Sequence, residues 1–211
     1  LGPAAFIARH LGATIRRQAT PFVGLQEAQS MLDQLERAYP ALVRHVVPKP
    51  VSLTLLTDVL RRLVDEGVSI RPLREILEAL ASHANTERDP VTLTELTRAA
   101  LKRQITHAHS EHGSLAVYLL DPEIEEAVRD AIQRSAAGSF LALAPALARE
   151  VIDAVRNECR PEEGPVVILT QADIRRFFRR LIEVELPDAA VLSFQELAPE
   201  VSVQPLARIS M

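Results

Sequence analysis

Apolar residues return every three or four positions through the first half of the chain, the spacing that gathers them on one face of an α-helix. Phe6, Ile7, His10, Leu11, Thr14 and Ile15 form the first such face, with Arg9, Arg16 and Arg17 off it, until Thr20 and Pro21 interrupt the pattern. Leu25, Ala28, Leu32, Leu35 and Tyr39 predict a second amphipathic helix stopped by Pro40, then a short apolar turn over Leu42–Val47 and a stiff Pro48-Lys49-Pro50 break. Ser52 suits the N-cap of a helix carrying Leu53, Leu56, Leu60 and Leu63, and Gly67 suits its exit. Ile70, Leu73, Ile76, Leu77 and Leu80 make the next stripe, with Pro72 in the first turn. Beyond a loop at 85–90, Thr92 and Glu95 read as the capping box of a helix running to about His107, with Leu93, Leu96, Ala100 and Leu101 inward.

The pattern changes after Gly113. Leu115–Leu120 is a continuous apolar run of strand length, and Asp121 with Pro122 opens a helix whose inner face is Ile124, Val128 and Ile132. A loop at Gly138 leads to a helix through Leu147, Val151 and Val155, then a strand at Val166–Leu169. Thr170 and Asp173 read as the cap of a helix lined by Ile174, Phe177, Phe178, Leu181 and Ile182, which ends at Leu186-Pro187. Val191–Phe194 and Val201–Ile209 are two more strands, and Pro205 puts the last at a sheet edge. Strands alternating with helices imply parallel pairing. The expected class is α+β: an all-helical part followed by a small α/β part with a short, mostly parallel sheet, divided near residues 108–114.

Composition agrees with a folded body of this kind. Of the 211 residues 47% are apolar and only 4% aromatic, with no Trp, so the core is built from Leu, Val, Ile and Ala. Lys and Arg number 24 against 28 Asp and Glu, a formal charge of -4, which makes no global electrostatic case for nucleic acid. A single cysteine, Cys159, allows no internal disulfide and points to a reducing compartment. No apolar run approaches the ~18 residues of a membrane-spanning helix. The chain opens at Leu1 and is already helix-patterned from Ala5, which reads as a piece of a longer protein.

Candidate chemistry is thin. His107, His109, Glu111 and His112 are ligand-type residues close in sequence, but they fall at a helix end and in a linker with no cysteine nearby, and no metal site is assigned. No Gly-rich phosphate loop or G-x-S-x-G motif occurs, Cys159 lies near a helix C-terminus that would not activate it, and His10 and His45 read as structural. The chain is therefore read as a non-enzyme without cofactor. Arg175, Arg176, Arg179 and Arg180 give one helix a basic outer face, for which a protein contact and an ordinary solvated face fit equally well and nucleic acid less well. Arg71, Arg74, Glu75 and Glu78 lie on the outer side of one helix, and Arg98, Lys102 and Arg103 on that of another. They are either solvated i,i+4 pairs or a charged seam between subunits. A helical DNA-binding or regulatory module is the rival reading; the acidic balance and the lack of base-reading residues at a helix start oppose it.

Four passages resemble the export-gate family of type III secretion, flagellar and injectisome: Gly24–Asp33 with Leu42–Pro48; LRRLVDEGVSIRPLREILE at 60–78; Asp89-Pro90 through Leu101–Ile105; and TQADIRRFFRRLIEVELPDAAVLSFQEL at 170–197. Residues 108–114 and the tail after Pro199 match less well. The resemblance implies a parent with a membrane domain in the bacterial inner membrane and a cytoplasmic region of four subdomains. On that basis residues 1–20 are the closing helix of the first, 21–110 the helical third, and 115–211 the α/β fourth. It further implies a homo-nonameric cytoplasmic ring that receives chaperone–substrate complexes, gatekeepers and other export-apparatus proteins. The family's ring contacts favour the seam reading for Arg71, Arg74, Glu75, Glu78, Arg98 and Arg103, and a fragment on its own is expected to be monomeric.

Overall fold

A computed structural model describes residues 19–135, 138–161 and 164–211. The helix expected over Ala5–Ile15 lies outside them. The chain forms two compact units that part between Leu101 and Lys102, ahead of the division expected at 108–114.

The described part of the first unit is all-helical. After a 3-10 turn at Thr20–Phe22 come α1 (Leu25–Ala38), α2 (Pro40–Val46), α3 (Leu53–Asp65), α4 (Leu73–His83) and α5 (Pro90–Ala100). The apolar run at 42–47, expected as a turn, is the short helix α2: Pro40 occupies its first turn, where its missing N–H costs nothing, rather than merely ending α1. Ser52 caps α3, its Oγ accepting from Leu55 N at 3.1 Å, and Gly67 leaves the helix with φ of 72°. The cap of α5 is Asp89 rather than the Thr92–Glu95 box. Its carboxylate accepts from Val91 N and Thr92 N at 3.3 and 3.0 Å and from the Thr92 hydroxyl at 2.8 Å, so Thr92 is itself a donor to the cap. Leu32, Leu56, Leu60, Leu63, Ile76, Leu77, Leu80 and Leu93 fill the core. Ala100, expected inward, is exposed. Thr57, Thr94 and Thr97 are buried instead, each donating to the carbonyl of the preceding turn at 2.7–2.8 Å.

The second unit begins with α6 (Lys102–His109), a separate helix beyond a break at Leu101. His112 and Gly113, both at positive φ, then make a tight turn closed by Glu111 and Ser114, whose backbones bond reciprocally at 2.8 and 2.9 Å. There follow β1 (Ser114–Leu120), α7 (Pro122–Asp130), β2 (Ile132–Ser135), β3 (Gly138–Leu141), α8 (Pro145–Glu158), β4 (Val167–Thr170), α9 (Ala172–Ile182), β5 (Ala190–Ser193) and β6 (Ser202–Ile209). β2 and β3 pair as an antiparallel hairpin, so Ile132 leaves the helix it was assigned to and Gly138 opens a strand instead of a loop. The main sheet runs β5-β4-β1-β6 with every pairing parallel, and β6 at an edge as Pro205 requires.

Tyr118, Leu120, Ile168, Val191 and Ile209 on one sheet face pack with Ile124, Val128, Val151, Val155, Ile174, Phe177, Phe178 and Ile182 of α7, α8 and α9. Strand alternation puts Leu115, Val117, Val167, Leu169 and Leu192 on the other face, and all are buried. Buried residues outside the first cluster include Ile105 and Thr106 of α6 and Ala198 of the β5–β6 connection. Thr106 Oγ1 ties these together, donating to Glu196 O at 2.6 Å and accepting from Ala198 N at 2.9 Å. That packing places α6 in the second unit, where helical periodicity alone had grouped it with the first. The start of α9 also departs from expectation: Thr170 does not cap it. The Glu125 carboxylate accepts both the Thr170 hydroxyl at 2.9 Å and Gln171 N at 3.1 Å.

Replacing Asp89 with Ala leaves two N-terminal amides of α5 without their acceptor. Its expected cost is about 1 kcal/mol in a chemical denaturation curve, whereas T92A, which removes a donor to the cap, costs less; an equal or reversed order would return the cap to Thr92.

Candidate interaction surface

Within the first unit the charged side of α4 survives as an exposed surface. Arg71, Arg74, Glu75 and Glu78 all face solvent. Arg74 Nε donates to Glu78 Oε1 at 2.9 Å, and its guanidinium lies 4.8 Å from the ring centre of Tyr39, the residue that closes α1. The hydrogen bond that Arg74 donates to Glu78, then that to Tyr39, holds Arg74 above its ordinary pKa. A second exposed pair, Arg44 Nε with Glu36 Oε1 at 2.9 Å, joins α2 to α1. Arginine held in one geometry against an aromatic ring is a frequent feature of contact hot spots, because little side-chain freedom remains to be lost.

Arg98 is corrected. Expected on an outer face, it is 2% exposed, and its Nη1 donates to Glu66 Oε2 at 3.1 Å, tying α5 to the end of α3. It follows Thr94 and Thr97 on the inward side of α5, so its charge is met inside the unit rather than by a neighbour. Arg103 belongs to the second unit, where its Nε is 3.1 Å from Glu200 Oε1, with His107 Nε2 at 3.6 Å from the same oxygen. A hydrogen bond from its own backbone N–H, and then the charges of Arg103 and His107, hold Glu200 below the ordinary carboxylate range.

The basic face of α9 is largely dismantled. Arg175 is fully buried, with Nη1 3.3 Å from Val191 O, because it shares the i, i+3, i+7 stripe with Phe178 and Ile182. Arg179 is half-buried and donates to Pro187 O at 3.1 Å. Arg176 is half-buried with its guanidinium 4.3 Å from the Phe177 ring centre, and Arg180 alone of the four is exposed. Cys159 is buried, and burial, with Glu158 adding to it, pushes its thiol up to about 12. Among the described residues no three His, Cys, Asp or Glu side chains converge as metal ligands would, and no helix is long and apolar enough to cross a membrane.

Residues 1–202 match the profile of the FHIPEP family. The chain belongs to that family. It is 39% identical to the "Low calcium response locus protein D" of Yersinia pestis over 206 residues, which cover 96% of this chain and 29% of that relative. It is 32% identical over 213 residues to the "Flagellar biosynthesis protein FlhA" of Bacillus subtilis, covering 99% of this chain and 32% of that one. The chain thus spans about a third or less of the curated relatives it matches. Among solved structures it superposes on the Chlamydia pneumoniae CdsV protein with a TM-score of 0.92 and 44% identity, over 100% of this chain and 61% of that one. Nonameric SctV-C of EPEC gives 0.88 and 36%, over 96% and 62%. A further structure, the complex of CdsV with CdsO, gives 0.91 and 43%, over 100% and 63%. The α+β class with a mostly parallel sheet is that of these export-gate domains.

Sequence reasoning missed Tyr39, Glu66 and Glu200, the partners of Arg74, Arg98 and Arg103, since each lies too far along the chain for a periodicity argument to pair them. The inward position of Arg175 was available from its spacing to Phe178 and Ile182.

Removing the Arg98 side chain takes away a buried guanidinium and its contact with Glu66. R98A is expected to lose on the order of 3 kcal/mol of stability, while R180A leaves the melting midpoint in place; similar midpoints for both would put Arg98 back on the surface. Glu200 titrates below its unfolded value. Its contact is therefore present above the ordinary carboxylate range and lost as pH falls through the depressed midpoint. Carboxyl NMR should place that midpoint below that of an ordinary glutamate, and R103A should raise it only part of the way, the backbone bond remaining.

Proposed function

We propose that this chain is the C-terminal portion of the cytoplasmic region of a type III secretion export-gate subunit, the parent being anchored in the bacterial inner membrane. It acts by binding and assembling, not by catalysis. The observation that carries the reading is a match over nearly the whole chain to a family whose solved members include a nonameric ring. On this reading the first unit from residue 21 to Leu101 corresponds to the third subdomain and the second unit, Lys102–Met211, to the fourth.

In this reading the chain contributes to a homo-nonameric ring, and Arg71, Arg74, Glu75 and Glu78, with Tyr39 beside them, form part of the contact with a neighbouring subunit. Arg103 contributes from the second unit, and Arg98 does not. A ring needs a heterologous contact, two different patches that meet around an axis. Exposed paired charges suit one that is weak in dilute solution and strengthened once membrane anchoring concentrates the subunits. Chaperone–substrate complexes, gatekeepers and other apparatus proteins dock on the assembled ring. Arg176 and Arg180 are the members of the α9 set placed to meet such a partner; Arg175 is not.

The complete cytoplasmic region, followed by light scattering and particle imaging across concentration and salt, tests this. Rings are expected at high concentration and low salt and should dissociate as salt rises. R74E should raise the concentration needed about tenfold. A region that forms no ring under any of these conditions and binds no secretion chaperone would sink the reading.

A further inference from the structure

The four-stranded sheet of the second unit is open, so its two outer strands present backbone groups that a strand from another chain could pair with. On β5 the orientation of these groups is fixed by the ladder. Ala190 N donates to Val166 O at 2.9 Å, and the parallel register pairs Ala190 with Val167 and Leu192 with Leu169. The backbones of Ala190 and Leu192 therefore turn toward β4, and those of Val191 and Ser193 turn outward. Each outward residue has one backbone group already engaged. The Val191 carbonyl accepts from Arg175 Nη1 at 3.3 Å. The Ser193 amide donates to Glu196 Oε2 at 2.6 Å, and the Ser193 hydroxyl to the same oxygen at 2.9 Å. Arg175 is 0% and Glu196 1% exposed.

We propose that Arg175 and Glu196 form an edge lock: a buried guanidinium occupies one outward carbonyl of β5, that of Val191, and a buried carboxylate one outward amide, that of Ser193, which interrupts the ladder that another chain would need. Withdrawing two ionisable side chains from water costs more than an apolar filling of the same space, yet an apolar filling would leave both backbone groups open. The opposite edge is blunted by other means. Ser202 N donates to Gly113 O at 3.0 Å, which turns Val203 and Pro205 outward, and at Pro205 there is no N–H to offer. The register then slips, pairing Val117 with Pro205 and Tyr118 with Ala207, and Leu206 bulges out of the ladder. Partners of this unit accordingly meet its helices and loops and do not extend its sheet. This holds whether or not the chain assembles into a ring.

Amide hydrogen exchange of the whole chain, read residue by residue, tests the lock. In the unaltered protein Ser193 N–H, although on an outer edge, should be protected to the same order as Leu192 N–H; free exchange at Ser193 overturns the proposal without any variant. E196A should speed exchange at Ser193 at least about tenfold relative to Leu192, and light scattering should show it self-associating. E196Q, whose amide oxygen still accepts, should restore most of the protection and the monomer. If Leu192 and Ser193 accelerate together, or if E196A stays monomeric at the concentrations used for exchange, Glu196 is only a packing residue and the lock is rejected.

Discussion

Arg98, Arg175 and Glu196 have their charged groups taken out of water, and the protein must supply inside what the solvent supplied outside. That requirement shapes both units. In the first, Arg98 reaches the Glu66 carboxylate and so holds α5 against the end of α3. In the second, Arg175 and Glu196 spend their hydrogen bonds on the outward backbone of β5. Thr57, Thr94 and Thr97 obey the same rule at lower cost, each returning its hydroxyl to the preceding helical turn. Thr106 serves two backbone groups at once and thereby fixes the β5–β6 connection to α6.

The charged groups left outside behave differently. Arg74 with Glu78 and Tyr39, and Arg103 with Glu200, are exposed pairs whose net worth to folding is small. They are held in defined geometries and remain available to a neighbour. An assembly that forms only where subunits are concentrated needs contacts of this type, weak singly and sensitive to salt. A sheet that cannot be extended complements them, because strand addition would give association that neither salt nor dilution readily reverses. The two features together favour reversible docking over permanent aggregation.

Periodicity was enough to find most helices and strands. Ser52, Asp121 and Pro205 were read correctly because a cap, a first-turn proline or an edge proline acts within a few residues of itself. The errors share one cause. Thr92 has the right spacing for a cap, but Asp89 with Pro90 behind it has the better geometry, and only coordinates show which hydroxyl or carboxylate reaches the amides. Gly138 reads as loop because a four-residue strand is too short to show alternation, and the hairpin exists through pairing with Ile132–Ser135. Lys102–His109 continues the helical pattern of the preceding residues, so nothing local reveals that it folds with the strands that follow.

The sequence by itself determined the α+β class, the helical first half, the strand–helix alternation of the second and the absence of enzyme motifs. These depend on interactions between residues a turn or a pleat apart. Two passages of it, 60–78 and 170–197, were also long enough to carry the family. Only the tertiary structure decided which charges face water. Arg175 and Arg180 are the same residue type on the same helix, and Arg98 and Arg103 sit on successive ones. What separates them is a partner far along the chain: Val191 for one and Glu66 for another, with none of that kind among the described residues holding Arg180 inside. Charge is written in the sequence, whereas desolvation is a property of what folds over it.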